Sequence, residues 1–194
     1  IHGARDLGLD YLTVYAFSTE NWSRPKDEVK FLMNFNEHLL LSRRDEFHER
    51  NIRMRFIGRR DWRVPKRILR RIDETLELTQ HNTGMTVNMA FNYGGRAELV
   101  DAVKALVADG VSPDKVNEKA IASRLYAPDM PDPELVIRTS GELRTSNFLM
   151  WESAYSEYVF LETLWPDFRT EHLVRSIVEF QQRDRRFGGI DQKT

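Results

Sequence analysis

The sequence predicts an α/β fold: a single domain over residues 1–194, with a mainly parallel central sheet flanked by helices. Three observations lead there. Short runs rich in β-branched and aromatic residues alternate with longer runs of helical periodicity. The first short run, Tyr11–Phe17, is apolar on both faces, as strands of a parallel sheet are. The length of 194 residues, with 41% hydrophobic and 30% charged side chains, suits one globular domain.

The elements follow in order. Ile1–Leu7 reads as the last two turns of a helix closed by Gly8. Two turns alone are not stable in water, so a preceding segment is expected. After the Tyr11–Phe17 strand, a polar stretch Ser18–Pro25 leads into a long helix from about Asp27 to Glu49. Val29, Leu32, Met33 and Leu40 form one apolar stripe, and Phe31, Phe35 and Leu39 a second, so this helix is expected to be covered on more than one side. Ile52, Met54 and Phe56 alternate with Arg53 and Arg55, the pattern of a half-exposed edge strand. Pro65 opens a helix with Ile68, Leu69, Ile72 and Leu76 inward. Met85–Phe91 is a strand that Gly94-Gly95 turns into a helix over Arg96–Ala108. Asn117–Leu125 is a short helical region, Leu135–Ile137 and Tyr158–Leu161 are strands, and Thr170 caps a final helix to about Arg185.

Composition excludes several classes. A net charge of -1 gives no general attraction to nucleic acid. Without cysteine there are no disulfides or thiolate metal sites, which is compatible with a reducing, cytoplasmic setting. No apolar run approaches the roughly 18 residues that span a bilayer. The five histidines lack metal-ligand spacing, and neither a GxGxxG nor a GxxxxGK[ST] loop nor a GxSxG elbow is present.

The densest chemistry lies just after the Leu135–Ile137 strand. Arg138 and Arg144 flank Thr139, Ser140 and Glu142, and Thr145 and Ser146 follow. Two guanidinium forks with several hydroxyls make an oxyanion trap, at the carboxyl end of a strand where open α/β sheets bind ligands. The structural alternative is a solvated loop with Glu142 paired to one arginine. A second candidate, Ser18-Thr19-Glu20-Asn21-Trp22-Ser23-Arg24, also follows a strand; its alternative is a capped entry to a helix. Glu157, near Trp151 and Tyr155, is either a buried ion-pair partner or, with phosphates nearby, a ligand for Mg²⁺. Residues 53–71 carry eight arginines and Lys66 against Asp61. A solvated face is the favoured reading there, since no aromatic ladder interleaves the charges.

Five stretches together resemble the cis-prenyltransferase family, of the undecaprenyl diphosphate synthase type. They are Tyr15–Pro25 (YAFSTENWSRP), Asn92–Arg96 (NYGGR), Ile137–Phe148 (IRTSGELRTSNF), Leu164–Phe168 (LWPDF) and Arg185–Gly189 (RRFGG). They run in the family's order over nearly the whole chain. The resemblance implies condensation of isopentenyl diphosphate with an allylic diphosphate such as farnesyl diphosphate, each round making a cis double bond. It implies that Arg138, Arg144 and Ser146, with Thr145, grip the diphosphate of isopentenyl diphosphate. Ser18, Thr19, Glu20, Trp22 and Arg24 would line the substrate site, Asn21 would help accept the proton, and Glu157 would bind Mg²⁺. Arg186-Phe187-Gly188 resembles a tail motif that reaches a partner subunit, which implies a homodimer, and peripheral membrane contact is compatible with a lipid product. The family's Asp-Gly-Asn-Arg-type loop, with its essential aspartate, falls upstream of Ile1, so the chain as it stands resembles one truncated at its N-terminus.

The growing chain needs an apolar tunnel. The long helix would supply one wall, and because short-chain members of the family tend to be bulkier at the position of small Ala16, the resemblance implies a medium or long product, a precursor of the undecaprenyl-like cell wall lipid carrier. The trans-prenyltransferases use paired DDxxD motifs, and no Asp-Asp pair occurs here. Two other readings stand beside this one: a catalytically silent family member that supports an active partner, and a different phosphate-binding α/β enzyme.

Overall fold

The sheet order is set by which strands find partners on both sides. In the computed structural model, which describes residues 1–183, Thr86–Tyr93 (β3) is that strand. It lies between Tyr11–Ser18 (β1) and Arg53–Ile57 (β2), parallel to both. From Val87 to Tyr93 every residue of β3 is buried. β1 is less buried than its composition predicts: Phe17 is its fully buried residue and the others are half-buried or exposed. As an outer strand of its sheet, it has a hydrogen-bonded neighbour within that sheet on one side.

The chain packs as two compact units, Ile1–Met130 and Pro131–Thr194. The first also holds helices His2–Asp6 (α1), Lys26–Glu49 (α2), Lys66–Thr79 (α3), Gly95–Ala108 (α4) and Glu118–Ala122 (α5). Gly8 sits just past α1 with φ 77°, the left-handed stop expected of it. Helices α2 and α3 pack together, and Phe17, Met33, Val64, Ile68, Ile72 and Phe91 form the core beneath them. The outer strand β2 is tied to α3 by a polar device. Thr79 Oγ1 accepts from Met54 N at 3.1 Å and donates to Thr75 O at 2.9 Å, which satisfies a backbone donor that a sheet edge leaves open.

The second stripe of α2 behaves differently from expectation. Leu39 is half-buried, but Phe31 and Phe35 are 65% and 53% exposed and stack on each other at 6.3 Å. Within the first unit, the sheet and α3 cover the Met33 stripe but not the Phe31–Phe35 ridge.

In the second unit Leu135–Arg138 (β4) and Glu157–Phe160 (β5) form a parallel pair, Leu135 opposite Glu157 and Arg138 opposite Phe160. Thr170–Gln181 (α6) packs on both. Its N-cap is Arg169 rather than Thr170: the Arg169 N–H donates to His172 Nδ1 at 3.0 Å, and Thr170 is already in the first turn. The described helix ends at Gln181, short of Arg185, which lies outside the described residues. Parallel pairing and alternation of strands with helices are the α/β arrangement expected from the sequence. No described helix is long and apolar enough to cross a membrane.

Two features lock the carboxyl end of the three-stranded sheet. Gly58 (φ 129°) ends β2 so close to β3 that a Cβ there would lie 2.1 Å from the Phe91 carbonyl oxygen. Arg59 then donates both Nε and Nη2 to Asp101, at 2.7 and 2.8 Å, and the Tyr126 hydroxyl donates to the same carboxylate at 2.6 Å. The Arg59 hydrogen bonds hold the Asp101 carboxyl below its ordinary range, while burial and the carboxylate push the Tyr126 hydroxyl up.

Gly58→Ala is expected to cost about 2–4 kcal/mol, since it combines a backbone clash with a glycine-only conformation; the midpoint of urea unfolding measures it. Because the folded-state value of Asp101 is depressed, its ion pair contributes above the unfolded carboxyl value of about 3.9 and is lost as pH falls below it. Asp101→Asn is therefore expected to be about 1 kcal/mol less stable than the parent at pH 7, with the difference shrinking by pH 3. Urea unfolding of both proteins at the two pH values reads this out.

Candidate functional site

In the first unit, β1 ends in a 3-10 turn, Thr19–Ser23, that is capped reciprocally. Ser18 Oγ accepts from the Asn21 N–H at 3.2 Å, and Asn21 Oδ1 accepts from the Ser18 N–H at 2.8 Å. The capping alternative therefore accounts for Ser18 and Asn21. It leaves the rest of the segment unexplained. Thr19 Oγ1 donates to the Glu20 carboxylate at 3.2 Å, and Arg24 is paired with Glu28 in the first turn of α2. Trp22 donates its indole N–H to Asn92 Oδ1 at 2.7 Å. Its ring meets Phe17 nearly edge-to-face at 4.9 Å and lies 5.8 Å from the Arg63 guanidinium carbon.

The same unit holds an apolar cavity of about 210 Å³ whose lining includes Ala16, Leu39, Leu40, Phe56, Ile68 and Met89. Helix α2 supplies one wall, through residues that include Leu39, Leu40 and Phe47. Ala16 sits at a shift in the β1–β3 register, where Tyr15 faces Ala90 and Phe17 faces Phe91. The bulge turns a small side chain toward the cavity lining.

In the second unit, the loop after β4 is anchored at its start. Ser140 N donates to Thr163 O and Gly141 N to Leu161 O, both at 2.9 Å. From there the backbone is strained. Among the described residues, Asn51, Asn92, Ser140, Ser146, Asn147 and Leu149 are the non-glycine residues with positive φ, and the last four of these lie in this loop. Such backbone outliers collect at ligand clamps and tight turns. The two arginines converge. Arg138 Nη2 and Arg144 Nη2 both bind the same oxygen, Oε2 of Glu142, the second at 2.5 Å. The hydrogen bond from Arg138 and the charges of both arginines hold the Glu142 carboxyl below its ordinary range. The sequence reading allowed one arginine on Glu142; the structure has two. The internal ion-pair alternative is therefore realised, with both guanidinium forks on one carboxylate oxygen. Arg144 remains 64% exposed and Arg138 25%, so the grip faces an accessible surface. The Thr145 hydroxyl is turned to Met150 Sδ at 3.9 Å, and Ser146 holds φ 49°.

Glu157 opens β5. Its Oε2 accepts from Arg183 Nη1 at 2.9 Å, and Arg183 also donates to Tyr158 O at 2.9 Å and pairs with Glu179 at 2.5 Å. The ion-pair alternative for Glu157 is thus realised. Among the described residues no cluster of three or more acidic, His or Cys side chains is placed to hold a metal. The Arg186-Phe187-Gly188 tail lies outside the described residues.

The basic run 53–71 is neutralised by carboxylates that its local charge count cannot see. Arg55 binds Asp129, Arg59 Asp101, Arg60 Asp73, Arg67 Glu37, and Arg70 and Arg71 Glu74. A residue that sequence reasoning left without a role is Asn92, whose amide joins Trp22 to Arg59; its place in the Asn92–Arg96 motif was the available signal.

Residues 1–188 match the Prenyltransf family model, described as "Putative undecaprenyl diphosphate synthase". A Thermobifida fusca protein named trans,polycis-polyprenyl diphosphate synthase ((2Z,6E)-farnesyl diphosphate specific) is 50% identical over 195 residues, covering 98% of this chain and 69% of that protein. An isoprenyl transferase of Bacillus cereus is 47% identical over 191 residues, covering 96% and 74%. Among solved structures, a "probable undecaprenyl diphosphate synthase" from Campylobacter jejuni superposes with a TM-score of 0.88 at 34% identity, over 97% of this chain and 88% of that one. Lavandulyl diphosphate synthase from Lavandula x intermedia, solved with dimethylallyl diphosphate, gives a TM-score of 0.91 at 34% identity, over 97% and 83%. With a family model matched over almost its whole length and relatives near half identity, the chain belongs to the undecaprenyl diphosphate synthase family of cis-prenyltransferases.

Proposed function

We propose that this chain is a transferase that condenses isopentenyl diphosphate onto an allylic diphosphate and releases a medium- or long-chain cis-polyprenyl diphosphate, a precursor of an undecaprenyl-like lipid carrier. The observation that carries the reading is the convergence of Arg138 and Arg144 on one carboxylate oxygen at the end of β4. A diphosphate oxygen placed there, in place of the Glu142 carboxylate, meets two bidentate-capable cations on a loop anchored at its start to Thr163 and Leu161. Farnesyl diphosphate is the proposed starter, in line with the name of the Thermobifida relative.

Each residue has a physical task. Arg138 and Arg144 bind the diphosphate of isopentenyl diphosphate, with the hydroxyls of Thr145 and Ser146 available for the remaining phosphate oxygens. Ionisation of the allylic substrate leaves a pyrophosphate anion and an allylic cation, and fixed cationic donors stabilise the charge that develops. Ser18, Thr19, Glu20, Trp22 and Arg24 line the substrate site, where an indole offers an apolar and electron-rich wall to a cationic chain. The proton lost by the isopentenyl unit needs an acceptor within reach, and Asn21 is the residue assigned to assist it. Glu157 would hold Mg²⁺, which supplies charge neutralisation at a diphosphate when bound. The apolar cavity beneath α2 is proposed as part of the tunnel that takes up the hydrocarbon tail. A homodimer, with the Arg186-Phe187-Gly188 tail reaching the partner subunit, and peripheral contact with the cytoplasmic face of a membrane complete the proposal.

Incubated with Mg²⁺, farnesyl diphosphate and radiolabelled isopentenyl diphosphate, the intact enzyme is expected to yield labelled, butanol-extractable polyprenyl product. No label in that fraction would favour a silent partner subunit instead. Arg144→Ala is expected to weaken use of isopentenyl diphosphate by about 2 kcal/mol, the size of a lost charged hydrogen-bond partner. Unchanged KM and kcat in that variant would remove Arg144 from the site.

A further inference from the structure

We propose that Asn92 is the positioning residue for Trp22: it fixes the indole plane on the Thr19–Ser23 turn, which the proposed function places in the substrate site. The inference rests on that reading for its functional consequence and on geometry for the clamp itself.

The clamp begins in the backbone. In the β1–β3 register Phe17 faces Phe91 while Ser18 faces Tyr93, so Asn92 is the extra residue of a bulge. It adopts φ 51° and is fully buried. Bulges re-aim side chains, and a buried non-glycine residue with positive φ is strained unless its surroundings demand it. Here both ends of the Asn92 amide are engaged. Oδ1 accepts from Trp22 Nε1 at 2.7 Å, and Nδ2 donates to the Arg59 carbonyl at 2.8 Å. Arg59 N returns a bond to the Asn92 carbonyl at 3.1 Å.

Arg59 cannot drift, because its guanidinium is bidentate on Asp101 and Gly58 before it lies against the Phe91 carbonyl. The indole N–H is therefore referenced through two side chains to α4. Phe17 and Arg63 restrain the ring on other sides, and Arg63 is itself held by Asp61 at 2.7 Å.

A purely structural role for this amide fits less well. The backbone of the turn is already closed by Ser18 and Asn21, so Asn92 is not needed there. Trp22 is half-buried, and its N–H is held by an acceptor that is itself fully buried. What the acceptor adds is a fixed orientation. For a wall that must face a reacting cation, orientation sets how much transition-state stabilisation it gives.

The test uses the intact enzyme labelled with 5-fluorotryptophan, with Trp22 assigned in the ¹⁹F spectrum through Trp22→Phe. Asn92→Gly removes the side chain and tolerates the positive φ. It is expected to shift or broaden the Trp22 resonance while leaving the other tryptophans unmoved. It is also expected to lower kcat/KM about tenfold, the effect of roughly one lost hydrogen bond. In the Trp22→Phe background, Asn92→Gly is expected to cost under about twofold more, as coupled partners require. An unmoved resonance in Asn92→Gly, or fully additive losses in the double variant, would overturn the clamp. If Asn92→Gly does not fold, Asn92→Ser, whose short hydroxyl cannot span the gap, replaces it in the same comparison. If the parent enzyme transfers no prenyl group, the functional reading fails, and the ¹⁹F spectra alone decide the clamp.

Discussion

The close crossing at the carboxyl end of the three-stranded sheet governs the first unit. Gly58 lets β2 end against the Phe91 carbonyl, where any Cβ would collide. That contact sets Arg59 beside the bulge at Asn92, and the Arg59–Asp101–Tyr126 group then fixes it to α4. Strand ends in parallel sheets carry the ligand-binding loops. A rigid crossing there turns an exposed turn, Thr19–Ser23, into a surface with a set geometry.

The second unit reaches a comparable end by different means. Its sheet has two short strands, and its candidate site is a loop. Precision comes from backbone strain at Ser140, Ser146, Asn147 and Leu149, and from the anchoring bonds to Thr163 and Leu161. Glu142 gathers both arginines on one oxygen, so neither guanidinium has to be ordered by a ligand alone. Preordering of that kind lowers the entropy lost when an anion binds.

Much of this was legible in the chain. Among the described residues, the periodicities located the five strands and the major helices within a few residues, because burial of one face imposes its period on the sequence. The density of donors over residues 138–146 singled out the loop after β4 as a candidate site, because paired guanidinium groups and hydroxyls suit an oxyanion. The misreadings share one cause. Phe31 and Phe35 were expected under cover, yet the first unit leaves them exposed. Tyr11–Phe17 was expected to be buried on both faces, yet it is an outer strand of its sheet. Periodicity records that a face is apolar without recording what covers it.

The sequence by itself determined the α/β class, the order of elements and the residue types available for anion binding, because each is a local property of composition and spacing. Tertiary structure alone decided the pairings. Glu157 takes Arg183 across 26 residues, and Asn92 joins Trp22 to Arg59 across separations of 70 and 33 residues. Such partners depend on which strand ends meet in space, and sheet order is not written in the spacing of any single segment.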